Sequence, residues 1–274
     1  MSNHLSRLFS ASKAIIGMIH VPALPGTPRY GGDIGAIIKQ AVREARLYQQ
    51  AGIRALAIEN MHDVPYIKGP VGPEITAIMT RLGHEVKQAS GLPCGIQLLA
   101  AANCQALAVA QAAGLDFVRA EGFVFGHLAD EGYIDAQAGK LLRYRSQIGA
   151  EHIPIFTDIK KKHSAHALTA DLDVVETARA AAFFLSDGLI LTGAATGRAA
   201  SVAEIKAVKA AVDLPVLVGS GITAENVGDY YACCDGFIVG SYFKQGGHWA
   251  NGLDAGRIQR FMERIARLEA ETPN

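Results

Sequence analysis

The chain has 274 residues, half of them apolar, and its 26 basic and 26 acidic side chains leave a formal net charge of zero. With no basic stripe, zinc-knuckle spacing or RNP-like aromatic cluster, that balance argues against a nucleic-acid partner. No apolar run approaches the roughly 20 residues that cross a bilayer, so no transmembrane segment is expected.

The length accommodates two small domains or one α/β barrel. The four cysteines, Cys94, Cys104, Cys233 and Cys234, form no C-x-x-C pair, and the adjacent two would bridge only through a strained ring. Free thiols and a reducing compartment are therefore expected, the cytoplasm or an organelle matrix. Met1 to Lys13 carries Arg7, Lys13 and several serines but no acid, faintly like an organelle-targeting segment. We read it as a polar arm, residues 1–13, ahead of a single barrel domain, 14–274.

Ala14-Ile-Ile-Gly-Met-Ile-His20 predicts a first buried strand, and a proline-rich loop follows to Arg29. Asp33 is placed to cap a helix through Gln50, along which Ile34, Ile37, Ile38, Ala41, Val42, Ala45 and Tyr48 recur at helical spacing. Further strands are predicted at Ala55–Asn60, Pro93–Leu99, Phe117–Glu121, Ile153–Lys160, Gly188–Thr192, Val216–Val218 and Phe237–Val239. Between them lie helical patterns at about Pro73–Ala89, Asn103–Ala113, Ile134–Ile148, Val174–Leu185 and up to Val212, where Ser201 and Glu204 have capping-box spacing. A last helix is expected from about Asp254 to Leu268. Eight strands alternating with helices, and no G-x-G-x-x-G after the first strand, predict a closed (β/α)8 barrel of the TIM type over a doubly wound sheet.

The last two strand runs end alike, in Gly219-Ser220-Gly221 and in Gly240-Ser241. One such turn needs only a tight bend, but two in succession place backbone N–H groups and hydroxyls where barrels of this type hold phosphate. Gly193 ends the strand before them. These six residues are the candidate phosphate grip.

The other strand ends are polar, while the opposite ends are mostly Ala, Pro and Gly. Asp158 and Lys160 are two apart on one strand, as are Arg119 and Glu121 on the strand before. A same-facing acid and base of this kind can hold a proton while cations stabilise an enolate or enediolate. With Glu59 these form the candidate catalytic set, Asp158 and Lys160 being its expected centre, although a salt-bridged layer closing the barrel top would have the same spacing. His20, Asn60, Gln97, Asn103, His163 and Thr192 are candidate substrate-binding residues. His163 and His166 are three apart, but no nearby carboxylate completes a ligand set, so no metal or other cofactor is required.

Several stretches resemble the BtpA/SgcQ family: Gly17–Tyr30, Glu59-Asn60 with Asp63–Tyr66, Arg119–Phe125, Thr157–His163, Thr192-Gly193 with Thr196-Gly197, and Gly219–Thr223 with Glu225-Asn226. The resemblance covers nearly the whole chain and implies a barrel similar to the ribulose-phosphate-binding barrels. The family takes its name from a cyanobacterial factor needed for photosystem I accumulation. Many members carry Asn where this chain has Glu121, so the resemblance does not imply a shared substrate. Some relatives are described as phosphoribosylanthranilate isomerase-like, but that enzyme's pattern asks for Cys and Asp where this chain has His20 and Thr192. That isomerisation is therefore not expected.

Two functions follow as expectations. One is an enzyme performing isomerase, aldolase or lyase chemistry on a small phosphorylated metabolite, a sugar phosphate or a nucleotide-derived phosphate. The other is a non-catalytic, peripherally membrane-associated assembly factor. A homo-oligomer is expected by analogy with similar barrels, and the Gly122–Gly132 loop, with Phe123 and Phe125, is a candidate lid or interface.

Overall fold

The computed structural model describes residues 13–160, 163–193 and 200–271. The expected N-terminal arm except Lys13, residues 161–162 and Thr196-Gly197 lie outside them. The strands are β1 (Ala14–His20), β2 (Ala55–Glu59), β3 (Cys94–Gln97), β4 (Phe117–Ala120), β5 (His127–Ala129), β6 (Gly132–Ile134), β7 (Ile155–Ile159), β8 (Ser164–Ala165), β9 (Gly188–Thr192), β10 (Val216–Gly219) and β11 (Gly236–Val239). The α-helices are α1 (Ile34–Gln50), α2 (Pro73–Ser90), α3 (Asn103–Ala113), α4 (Ala138–Gln147), α5 (Val174–Phe183), α6 (Val202–Ala211), α7 (Val227–Tyr231) and α8 (Ala255–Glu271).

Eight parallel strands close into a barrel in the order β1-β11-β10-β9-β7-β4-β3-β2. The expected (β/α)8 fold is the one observed. Because side chains alternate along a strand, each strand sends one set outward to the helices and one inward. Ile15, Ile19, Leu56, Ile58, Ile96 and Val118 belong to the outer core that packs on the helices. Ile16, Met18, Ala55, Ala57, Phe117, Phe156, Ile190, Leu217 and Ile238 form a separate inner cluster.

The inner cluster is built around two rings. Phe117 and Phe156 meet edge to face, 5.8 Å between centroids, and both are fully buried. Small residues on other strands make room for them. A Cβ at Gly95 would fall 2.1 Å from the Phe117 ring, and one at Gly188 would fall 2.4 Å from the Phe156 ring. Above this floor the register sets His20 beside Glu59 and Glu59 beside Gln97, so the next inward layer is polar.

Two elements differ from expectation. Residues after β4 form a hairpin, β5 and β6, which β8 extends into a three-stranded antiparallel sheet; Ile134 is therefore in a strand, and α4 starts at Ala138. Gly132, at φ +99°, takes part in the reversal within the stretch read as a loop. Ser201 accepts from Glu204 N, but the complete capping box is on α5, between Asp173 and Glu176. The helix expected over Asn103–Ala113 is observed with those bounds, and the Asn103 side chain donates to the Glu121 carbonyl.

After β11 the chain folds back as a flap, residues 244–253, closed by an antiparallel bridge between Lys244 and Leu253. Lys244 is 1% exposed and donates to Glu44 Oε2 on α1 at 2.9 Å. Burial lowers the ammonium pKa, and Glu44 opposes that only in part. This pair pins the flap to the barrel wall.

Two outcomes follow. Gly95→Ala should destabilise the protein by about 1–3 kcal/mol in urea unfolding, because a methyl group enters space held by a packed ring. An unchanged midpoint would contradict the packing of the floor. Lys244→Met should cost about 3–5 kcal/mol by stranding Glu44, and adding Glu44→Met should recover most of the loss. A double variant no better than the single one would contradict the pairing.

Candidate functional site

A cavity of about 470 Å³ opens at the C-terminal mouth of the barrel. His20, Glu59, Gln97, Arg119, Glu121 and His163 line it, as do Ser220, Gly221, Gly240 and Ser241. These are ten of the residues singled out in the sequence, gathered from seven barrel strands and the loops after them.

The wall above β3 and β4 is a fixed polar network. Arg119 donates from Nε and Nη2 to the two carboxylate oxygens of Asp158 at 2.8 and 2.9 Å. Burial works against the guanidinium charge, but Asp158, with Glu59 and Glu121 behind it, outweighs burial and raises the Arg119 pKa. Gln97 Nε2 donates to Glu121 Oε1 at 2.9 Å, and Ala101 N donates to Glu121 Oε2 at 3.2 Å. Asn103 brackets the same residue through its backbone, donating to the Glu121 carbonyl at 2.7 Å and accepting from Glu121 N at 3.2 Å.

Asn60 has a similar bracing role. Its Oδ1 accepts from Leu99 N and its Nδ2 donates to Asp63, each at 2.8 Å. Asp63 in turn accepts from Leu24 N at 2.8 Å, and burial holds its carboxyl above the usual range. Asn60 and Asn103 thus position the loops after β2 and β4 and do not line the cavity.

His20 ends β1 with its Nδ1 2.9 Å from the Trp249 carbonyl oxygen. A carbonyl only accepts, so Nδ1 carries the proton. That orientation directs Nε2 toward Glu59, whose Oε2 is 3.8 Å away. The flap thereby sets both the tautomer and the aim of His20. The Trp249 ring packs on His62, 4.9 Å between centroids, and lines the cavity.

The opposite wall comes from the loops after β10 and β11. Ser220 and Gly221 are both left-handed, at φ +71° and +68°, which turns the backbone sharply at the strand end. Asn226 braces this turn, donating to the Gly221 carbonyl and accepting from Thr223 N, each at 2.8 Å. A Cβ at Gly240 would lie 3.2 Å from His20 Nε2, so a side chain there would crowd the histidine. Arg257, at the start of α8, also lines the cavity; it donates to the Tyr242 carbonyl at 2.5 Å and stacks over the Tyr242 ring at 4.4 Å. Gly219 lies below this rim in the strand, and Gly193 follows β9; neither lines the cavity.

The expected centre at Asp158 and Lys160 is not assembled in this cavity. Lys160 falls just beyond β7 at φ +50°, where strand alternation no longer holds, and its ammonium donates to the carbonyls of Leu172 at 2.5 Å and Thr169 at 3.4 Å. Asp158 is committed to Arg119, and with Lys160 it lines a separate small recess. Thr192 ends β9 away from the cavity, and its hydroxyl has no hydrogen-bond partner among the described residues.

The sequence reading missed Tyr66, Asp130, Glu131, Trp249 and Arg257, all of which line the cavity. Arg257 sits in an amphipathic helix among other arginines and looks like a solvated charge. Trp249, the single tryptophan of the chain, was the stronger signal. Among the described residues, no group of three or more His, Cys, Asp or Glu side chains is arranged to hold a metal ion, and no helix is long and apolar enough to cross a membrane. All four cysteines are free thiols, and burial pushes those of Cys94 and Cys234 up to about 12.

Comparison with known proteins agrees with this architecture. An uncharacterized mitochondrial protein of Caenorhabditis elegans is 50% identical over 271 residues, 97% of this chain and 98% of its own length. The photosystem I biogenesis protein BtpA of Synechocystis is 31% identical over 268 residues, covering 96% of this chain and 91% of its own. Among solved structures, (S)-3-O-geranylgeranylglyceryl phosphate synthase from Thermoplasma acidophilum, in complex with its substrate sn-glycerol-1-phosphate, superposes with a TM-score of 0.61 at 16% identity. It covers 96% of this chain and 97% of its own, a likeness of fold. The BtpA family model matches residues 11–267, and the chain belongs to the BtpA family.

Proposed function

We propose that the mouth cavity is the active site of an enzyme that performs acid–base chemistry on a small phosphorylated molecule. The observation that carries this reading is that one cavity holds two unlike walls. On one side are the glycine-rich turns after β10 and β11 with Arg257; on the other are Arg119, Gln97 and Glu121, with His20 and Glu59 between. The Thermoplasma barrel is in complex with a glycerol phosphate, and barrels of this type commonly hold phosphate at the loops after the last two strands, which supports the reading.

Phosphate is assigned to Ser220, Gly221, Gly240, Ser241 and Arg257, where small residues admit close backbone approach and one cation is held in place by stacking. His20, protonated at Nδ1, accepts a substrate proton at Nε2, and Glu59 stabilises the imidazolium that forms. Arg119, kept charged and aimed by Asp158, stabilises the developing enolate or enediolate oxygen. This chemistry serves isomerisation, aldol-type cleavage or elimination alike. A reducing compartment, cytoplasm or organelle matrix, is supported by the four free thiols and by the mitochondrial location of the nematode relative.

With a substrate identified from a panel of phosphate esters, His20→Asn and Arg119→Met should each lower kcat by roughly 10²–10⁴-fold. Arg257→Met should instead raise KM and weaken binding of inorganic phosphate. Normal turnover in both His20→Asn and Arg119→Met would exclude this centre. A chain that binds phosphate esters and converts none of them would be an assembly or binding factor built on the same barrel.

A further inference from the structure

What a phosphate ester carries at its other end is a further question about the same site, and its answer rests on that reading. Gln97 is 2% exposed and lines the cavity, and its Oε1 has no hydrogen-bond partner among the described residues. The orientation of the amide is determined by its neighbour. Nε2 donates to Glu121 Oε1, while the other Glu121 oxygen takes Ala101 N–H, so turning the amide over would set two acceptors face to face. Gln97 therefore presents an acceptor to the cavity, and a buried acceptor without a donor carries a desolvation penalty that a ligand donor relieves.

The charges nearby point the same way. Glu59, Glu121, Asp130 and Glu131 line the cavity, and the guanidinium of Arg119 is already matched by both oxygens of Asp158. Arg257 stands on the opposite wall, over Tyr242. Among the described residues the cavity is thus polarised, cationic and N–H-rich toward β10 and β11 and rich in acceptors toward β2, β3 and β4.

We propose that the ligand is a phosphate monoester whose distal end is uncharged or cationic and donates a hydroxyl or amino hydrogen to Gln97 Oε1: a polyol or amino-sugar phosphate. A phosphorylated carboxylic acid or a bisphosphate would place a second anion among the carboxylates, and neither is accepted.

Isothermal titration calorimetry with inorganic phosphate, ribose 5-phosphate, glucosamine 6-phosphate, 3-phosphoglycerate and ribulose 1,5-bisphosphate tests this. The first two esters should bind at least about tenfold more tightly than inorganic phosphate, and the last two no more tightly than it. Gln97→Met, checked for folding by its thermal midpoint, should remove that preference while leaving inorganic phosphate affinity unchanged. Equal binding of 3-phosphoglycerate and ribose 5-phosphate by the unaltered protein would overturn the inference and leave the phosphate site standing, and so would an intact preference in Gln97→Met. Binding of none of the phosphate probes would overturn the phosphate reading, and this inference with it.

Discussion

The edge-to-face contact of Phe117 and Phe156 is the constraint on which the rest of the molecule depends. Eight parallel strands enclose an interior just wide enough for side chains to fill, and here two large rings take much of it while glycine and alanine on other strands give way. The rings make a floor. Because the inward positions alternate by two, filling one layer with Phe, Met, Ile and Leu places the next inward residues, His20, Glu59, Gln97, Arg119 and Asp158, above it at the mouth. The polar layer is therefore a consequence of the same register that packs the core.

That layer is electrostatically ordered and not merely polar. The groups given a part in the proposed chemistry are held by neighbours: Arg119 by Asp158, Glu121 by Asn103 and His20 by the carbonyl of Trp249. The histidine is tied to the flap, and the flap is tied to α1 by the buried Lys244–Glu44 pair. A remote ion pair thus shares in setting the tautomer of the candidate base. This arrangement restrains the groups before any ligand arrives, which is what preorganised acid–base chemistry requires.

The barrel was legible in the sequence because its signal is repeated eight times, and no single strand boundary had to be right. The mouth was legible for the same reason: His20, Glu59 and Gln97 end strand runs and share a register. Lys160 was misplaced because a spacing of two implies a common face only while the chain stays extended, and the left-handed turn at that residue ends the strand one step early. In the sequence the hairpin before α4 reads as a loop, and the helix starts early at Ile134 because Ile134, Leu141 and Ile148 fit a helical period, whereas the pairing of β5 with β6 is visible only in three dimensions. Arg257 and Trp249 reach the cavity from the chain after the last strand, by tertiary contacts that no local pattern encodes. Gln97 was found as a rim residue, but its role as a fixed acceptor needed the position of Glu121.

The proposed anion-binding wall is the element from which substrate class, orientation and reaction all follow. A crystal structure of the protein grown with inorganic phosphate tests it most directly. The account predicts a phosphate between the turns at Ser220-Gly221 and Gly240-Ser241, within hydrogen-bonding reach of Arg257. A phosphate bound among Arg119, Gln97 and Glu121 instead, with that wall vacant, would contradict it.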